Sequence, residues 1–152
     1  LWEKVIKKII LIFVLIFTSV NFLSAGEYFL TLRFNNVNLR QGPSFDYPVK
    51  ISYKKKYLPV LIQDTSDNFK KIRDHENNTG WIHRSQLSKK KAALALDDKL
   101  VIFTNATIFS KPLAVLEKGH LCLISKCKGD WCKIKVERYS GWVKKKSLWG
   151  KF

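Results

Sequence analysis

Three cysteines and three histidines are the residues of this 152-residue chain best suited to covalent or proton chemistry. Cys127 and Cys132 flank Lys128-Gly129-Asp130-Trp131, a hairpin connection that sets them opposite each other on paired strands. In an oxidising compartment this spacing predicts a disulfide adding about 2 kcal/mol by loop entropy. A metal site is the poorer reading, because no further Cys or His lies nearby in sequence. Cys122 is left over between Leu121 and Leu123, either buried as a small hydrophobe or exposed as a thiol. As a nucleophile it needs a histidine base close by. His120 shares its strand face at i and i+2 without guaranteed contact, while His75 and His83 fall in a hairpin tip and after a Gly-Trp pair. No paired carboxylates flank a cleft and no Gly-rich phosphate loop is present. The expectation is a chain without catalytic residues, metal or cofactor.

The aromatic residues say more, because they recur. Asn68-Phe69-Lys70-Lys71-Ile72 is followed by Gly80-Trp81-Ile82, and Asp130-Trp131-Cys132-Lys133-Ile134 by Gly141-Trp142-Val143. The two blocks superpose at an offset of 61 to 62 residues with one residue of slip inside a turn, which marks an internal repeat. Strand alternation turns Ile72 and Ile134 inward and puts Phe69 and Trp131, three positions earlier, on the opposite face. By the same rule Trp81 and Trp142 face away from Ile82 and Val143. They are either ligand contacts or the residues that pack the two copies together.

Each copy divides into short strands separated by turn chemistry. In the first, Asn38-Leu39-Arg40 leads into a Gly42-Pro43-Ser44 turn, and strands follow at Leu58–Ile62, Phe69–Arg73 and Thr79–Ile82. In the second, strands are expected at Val101–Phe109, His120–Lys126, Trp131–Val136 and Gly141–Val143, with a turn at Lys118-Gly119. Ser88-Lys89-Lys90-Lys91 reads as the linker, and Ala92–Leu96 as a strand closing the first copy. About 55 residues and five or so strands per copy predict an all-β chain of two small barrels. The boundaries are residues 30–96 and 97–152. Such thin cores gain from packing against each other.

Residues 1–26 have the order of a secretory signal peptide: lysines, then the apolar run Ile9–Leu23, then Ser24-Ala25-Gly26. Cleavage after Ala25 or Gly26 fits. The alternative is an uncleaved anchor, since the uncharged stretch Ile9–Gly26 sits at the lower limit of about 18 residues for crossing a bilayer. Either way the remainder is expected in the periplasm, free or tethered. It carries 25 basic against 11 acidic residues, a net +14 from the whole chain's +16. That balance points to a polyanionic partner or to lysines that simply solvate a small β-protein. Export makes nucleic acid an unexpected one.

These motifs resemble the bacterial SH3-like domain family, in its tandem two-copy exported form. The likeness is carried by Val37-Asn38-Leu39-Arg40-x-Gly42-Pro43-Ser44, by Asn68-Phe69-x-x-Ile72 with Gly80-Trp81-Ile82-His83, and by the second copy's matching blocks ending in Ser147-Leu148-Trp149-Gly150. The second copy has Ala106-Thr107-Ile108-Phe109-Ser110-Lys111-Pro112 in place of the Asn-Leu-Arg-x-Gly-Pro signature, which puts its groove in doubt. The first has Lys56-Tyr57 where members often have Gly. The resemblance implies a binding module for cell-wall peptides or an envelope protein, its groove lined by Phe69 or Trp131 and by Tyr47 in the loop. With Arg40, Trp81 and Trp142 these are the candidate ligand-binding residues, flat apolar area beside positive charge. Peptidoglycan or an envelope protein is the first expectation. An electrostatic adaptor for anionic lipid headgroups, using Lys89–Lys91 and Lys144–Lys146, is the second. A cysteine-dependent cell-wall hydrolase is the third.

Overall fold

The computed structural model describes residues 2–4, 6 and 26–152. The leader expected over residues 1–26 lies, but for those few positions, outside the described residues. Among the described residues no helix is long and apolar enough to cross a membrane.

The chain forms two seven-stranded antiparallel sheets. The first comprises β1 (Tyr28–Leu32), β2 (Val37–Arg40), β3 (Val49–Tyr53), β4 (Pro59–Ser66), β5 (Phe69–Arg73), β6 (Thr79–His83) and β7 (Leu87–Ser88). The second comprises β8 (Ala92–Ala95), β9 (Leu100–Phe103), β10 (Pro112–Leu116), β11 (Leu121–Lys128), β12 (Trp131–Val136), β13 (Tyr139–Lys144) and β14 (Leu148–Gly150). A single 3-10 turn, Arg84–Gln86 or Lys145–Ser147, precedes the last strand of each. The sheet orders β3-β2-β6-β5-β4-β1-β7 and β10-β9-β13-β12-β11-β8-β14 correspond strand for strand. The repeat expected from the aromatic blocks is therefore a repeat of the whole fold. Among the described residues the fourteen strands lie within 28–152, so the segment 27–152 holds both sheets.

The repeated glycines have a geometric cause. A Cβ on Gly80 would meet the Arg40 carbonyl oxygen at 2.7 Å, and one on Gly141 the Phe103 carbonyl oxygen at 2.5 Å. In each barrel the loop-bearing hairpin crosses the sixth strand too closely for any side chain. Inward residues alternate as expected: Val37, Leu39, Val60, Ile72 and Ile82 fill one core, and Ile102, Ile124, Ile134 and Val143 the other. Full burial of each such side chain is worth about 1.5–3 kcal/mol.

Two sequence expectations change. Ala92–Ala95 does not close the first copy. It is the first strand of the second sheet, pairing with β11 (Ala93 opposite Cys122) and β14 (Ala95 opposite Leu148). The first sheet is already closed by β7 on β1, Leu87 opposite Leu32. The strand expected over Val101–Phe109 stops at Phe103, and a loop runs from Thr104 to Lys111 before β10. The Lys56-Tyr57 departure noted in the sequence has a backbone consequence: Tyr57 adopts a positive φ of 65° where its counterpart is Gly119 at 79°. Each donates its N–H to the first strand, Tyr57 to Leu32 O and Gly119 to Ala95 O. The turn is thus kept at the cost of a left-handed tyrosine.

The barrels share core material. In β8, Ala93 and Ala95 face their own core, while Leu94 between them is buried in the first barrel's core, with Leu121 and Trp149 packed against it. These three lie side by side across β11, β8 and β14. Trp149 meets Phe29 edge-on with centroids 4.9 Å apart, and Lys151 Nζ donates to Phe29 O at 3.2 Å. Trp149, rather than Trp81 or Trp142, makes the aromatic contact across the junction.

Candidate functional site

The second barrel carries a groove of about 690 Å³ between its long loop, the β11–β12 turn and the 3-10 turn. Ala106, Thr107 and Ile108 form one wall, Asp130 and Trp131 the floor, and Lys144, Lys145 and Lys146 the other wall. Each part has a local cause. Trp131 opens β12 on the outward face, directly opposite Lys144 of β13. Its ring is half-exposed, edge-on to Phe103 at 5.9 Å, with Lys144 Nζ 5.9 Å from its centroid. The Lys145 N–H donates to Asp130 O at 2.8 Å, which ties the basic turn to the floor. Lys145 Nζ also sits 5.2 Å from the Phe152 ring centroid. Among the described residues no Lys or Arg lies within 4.0 Å of a carboxylate, the one basic–acidic contact being His75 Nε2 with Glu76 Oε1 at 3.8 Å, so these lysines have no carboxylate partner within the barrel. An indole beside three ammonium groups, with the Asp130 carboxylate at its edge, offers stacking area and a net positive charge to an extended chain bearing carboxylates.

The hairpin that presents Trp131 is stapled. Cys127 and Cys132 are opposite each other in the β11–β12 register and disulfide-bonded, with Cα atoms 4.0 Å apart. In the first barrel the same cross-strand position is held by Lys70 Nζ donating to Thr65 Oγ1 at 2.9 Å.

The corresponding place in the first barrel is closed. Its loop has the same backbone: Gln41 N–H to Pro48 O, Ser44 N–H to Gly42 O and Tyr47 N–H to Ser44 O correspond to Thr104 to Lys111, Thr107 to Asn105 and Ser110 to Thr107. Phe45 therefore stands where Ile108 stands. Its ring rests against both Phe69 and His83, each centroid 5.2 Å away, and Phe69 and His83 are 5.1 Å apart. Phe69 is left only 6% exposed. The doubt about a groove fell on the second copy; the first is the one that is shut.

The sequence-predicted residues therefore separate. Trp131 floors the groove. Trp142 is half-buried one position along the same face, outside the groove lining, opposite Lys133 and with Lys126 Nζ 5.8 Å from its ring. Trp81 is its counterpart in the first barrel, between Arg40 and Lys71. Arg40 is a loop clamp: Nη1 donates to Phe45 O at 3.0 Å and Tyr47 O at 2.8 Å. Tyr47 folds its ring over Gly42, where a Cβ would lie within 2.5 Å of it. Phe69 is buried. In the second loop Ser110 takes over Arg40's clamping, donating to Thr107 O at 2.8 Å and accepting from Asn105 N–H at 3.2 Å. Sequence reasoning passed over Phe45, Phe103 and Ile108; Phe103 could have been found as the counterpart of Arg40, since it pairs with Trp142 as Arg40 pairs with Trp81.

Cys122 lies in the second core at 1% exposure, and burial pushes its thiol up to about 12. It is protonated at neutral pH. His120 is exposed, away from that buried environment.

The strand order and the repeated sheets define a tandem pair of small β-barrel domains. The bacterial SH3 domain family matches residues 34–89 and 97–150, and the chain belongs to that family. Among solved structures it is similar to NlpC2 from Trichomonas vaginalis, at 13% identity and TM-score 0.38, covering 83% of this chain and 49% of that one. NlpC1 from the same organism matches at 13% identity and TM-score 0.38, covering 83% and 46%. An NlpC/P60 family protein from Bacillus cereus matches at 10% and 0.37, covering 80% and 56%. The chain spans about half the length of these structures. No curated protein matches it.

Proposed function

We propose that this chain is an exported, non-catalytic binding module for cell-wall peptidoglycan, gripping its peptide in the second barrel's groove. The observation that carries the reading is the half-buried Trp131 ring in an open groove flanked by Lys144, Lys145 and Lys146. Carboxylates along a wall peptide pair with the ammonium groups, and the extended backbone lies on the indole. Family membership supports a binding role, and the Cys127–Cys132 disulfide suits an oxidising compartment. The first barrel, its loop folded onto Phe69, acts as the platform.

The test is co-sedimentation of residues 27–152 with isolated peptidoglycan sacculi across a salt series. Retention is expected to weaken with salt as the ammonium pairs are screened, to persist in part through the indole contact, and to be lost in Trp131→Ala. Phe69→Ala, remote from the open groove, is expected to lower stability and leave retention in place. Equal loss of every variant in modest salt, or no retention, overturns the wall reading and turns attention to an envelope protein.

A further inference from the structure

We infer that the tip of the second barrel's loop, Ile108-Phe109, is a membrane-docking tip that seats this barrel on an anionic lipid surface. Phe109 is 92% exposed and Ile108 53% exposed. The phenyl group is not demanded by the fold. In the first barrel the same loop position is Asp46, held by the same contact: Asp46 N–H donates to Ser44 Oγ as Phe109 N–H donates to Thr107 Oγ1. One copy thus offers water a carboxylate where the other offers a bare ring.

Two further observations point to lipid as the occupant. The first is charge. Phe109 is followed two residues on by the exposed Lys111, and its neighbour Ile108 shares the groove wall opposite Lys144, Lys145 and Lys146. An apolar tip collared by ammonium groups complements hydrocarbon lying under negative headgroups. The same collar, on a segment with net charge +14, repels a second copy. The second is backbone satisfaction. The N–H groups of Thr104, Asn105, Thr107, Phe109 and Ser110 all donate within the loop. Few tip donors then lose water on entering the interface, which is the usual obstacle to immersing a loop.

The tip shares Ile108 and the three lysines with the groove, but Phe109, the residue varied in the test, does not line it. Residues 27–152 are sedimented with vesicles of phosphatidylcholine alone and of phosphatidylcholine mixed with phosphatidylglycerol. Binding is expected to the anionic vesicles only. Phe109→Asp, which installs the first barrel's residue, should weaken it roughly tenfold by removing one buried phenyl group. Phe109→Trp should bind at least as well as the parent. Both variants should keep the parent's melting behaviour and its retention on sacculi. No vesicle binding, or binding that Phe109→Asp leaves unchanged, overturns the inference. So does a Phe109→Asp variant that loses sacculi and keeps vesicles, since the tip is then a wall contact. Loss of sacculus binding by Trp131→Ala alone bears only on the groove.

Discussion

The ring of Phe45 lies edge-on to that of Phe69 with centroids 5.2 Å apart, and this contact makes two barrels of one topology into different objects. Over Phe69 the loop is shut. Over Trp131 the shorter Ile108 leaves the indole in view beside Lys144.

Phe45→Ala should expose Phe69 and loosen the first loop. Two aromatic pairs at about 0.5–1.5 kcal/mol each set the expected loss near 2 kcal/mol, read from urea unfolding. A change within a few tenths would show that Arg40, through its bonds to Phe45 O and Tyr47 O, holds the loop by itself.

Reduction of Cys127–Cys132 should cost about 2 kcal/mol and weaken ligand retention, because the bond closes the turn that carries Trp131. Lys70→Ala, which removes the exposed counterpart in the first barrel, should cost below about 0.5 kcal/mol. Parallel urea curves with and without reductant decide it.

Alkaline pH should destabilise the protein. The buried Cys122 thiol keeps its proton to about 12 in the folded state, so unfolding releases a proton once pH passes the ordinary thiol range. Stability contributed by this group is complete below that range and declines as pH climbs toward 12. Tyr53 acts in the same direction, its phenol raised by burial and by its hydrogen bond to Asp74. In Cys122→Ala the slope of stability against pH above 9 should be shallower than in the parent. Ellman's reagent at pH 8 should find no thiol until denaturant is added.

Asp74 is a buried carboxylate, and it is fully partnered. It accepts from Tyr53 Oη at 2.8 Å, from the N–H groups of Glu76 and Asn78, and from Asn78 Nδ2. Asp74→Ala leaves a buried phenol and turn amides unsatisfied, so about 3 kcal/mol should be lost. Tyr53→Phe, removing one bond, should cost about 1 kcal/mol. Equal costs for the two would contradict the arrangement.

Trp149→Ala should lower the stability of both barrels by about 3–5 kcal/mol, because its ring closes the first core from the second sheet. Hydrogen exchange should show losses on both sides of the junction.

The repeat was legible because its key positions leave no choice of residue. Gly80 and Gly141 sit where a crossing carbonyl excludes a Cβ, and Ile72 and Ile134 sit at the bottoms of small cores. The second loop was not legible, because backbone hydrogen bonds shape it and many side chains can supply the rest: Ser110 does there what Arg40 does in the first. The fate of Phe69 could not be read from its strand. Alternation correctly turned it outward, and a loop residue from a distant part of the chain then covered it. For Ala92–Ala95 the difficulty was a sequence almost all alanine, with Leu94 facing a core that belongs to the other copy.

That placement of Leu94, Leu121 and Trp149 bears on inheritance. A duplicated domain is ordinarily a unit that recombination can multiply, delete or exchange. Here a crossover that discards the second copy also strips the wall of the first one's interior. The pair passes on as one.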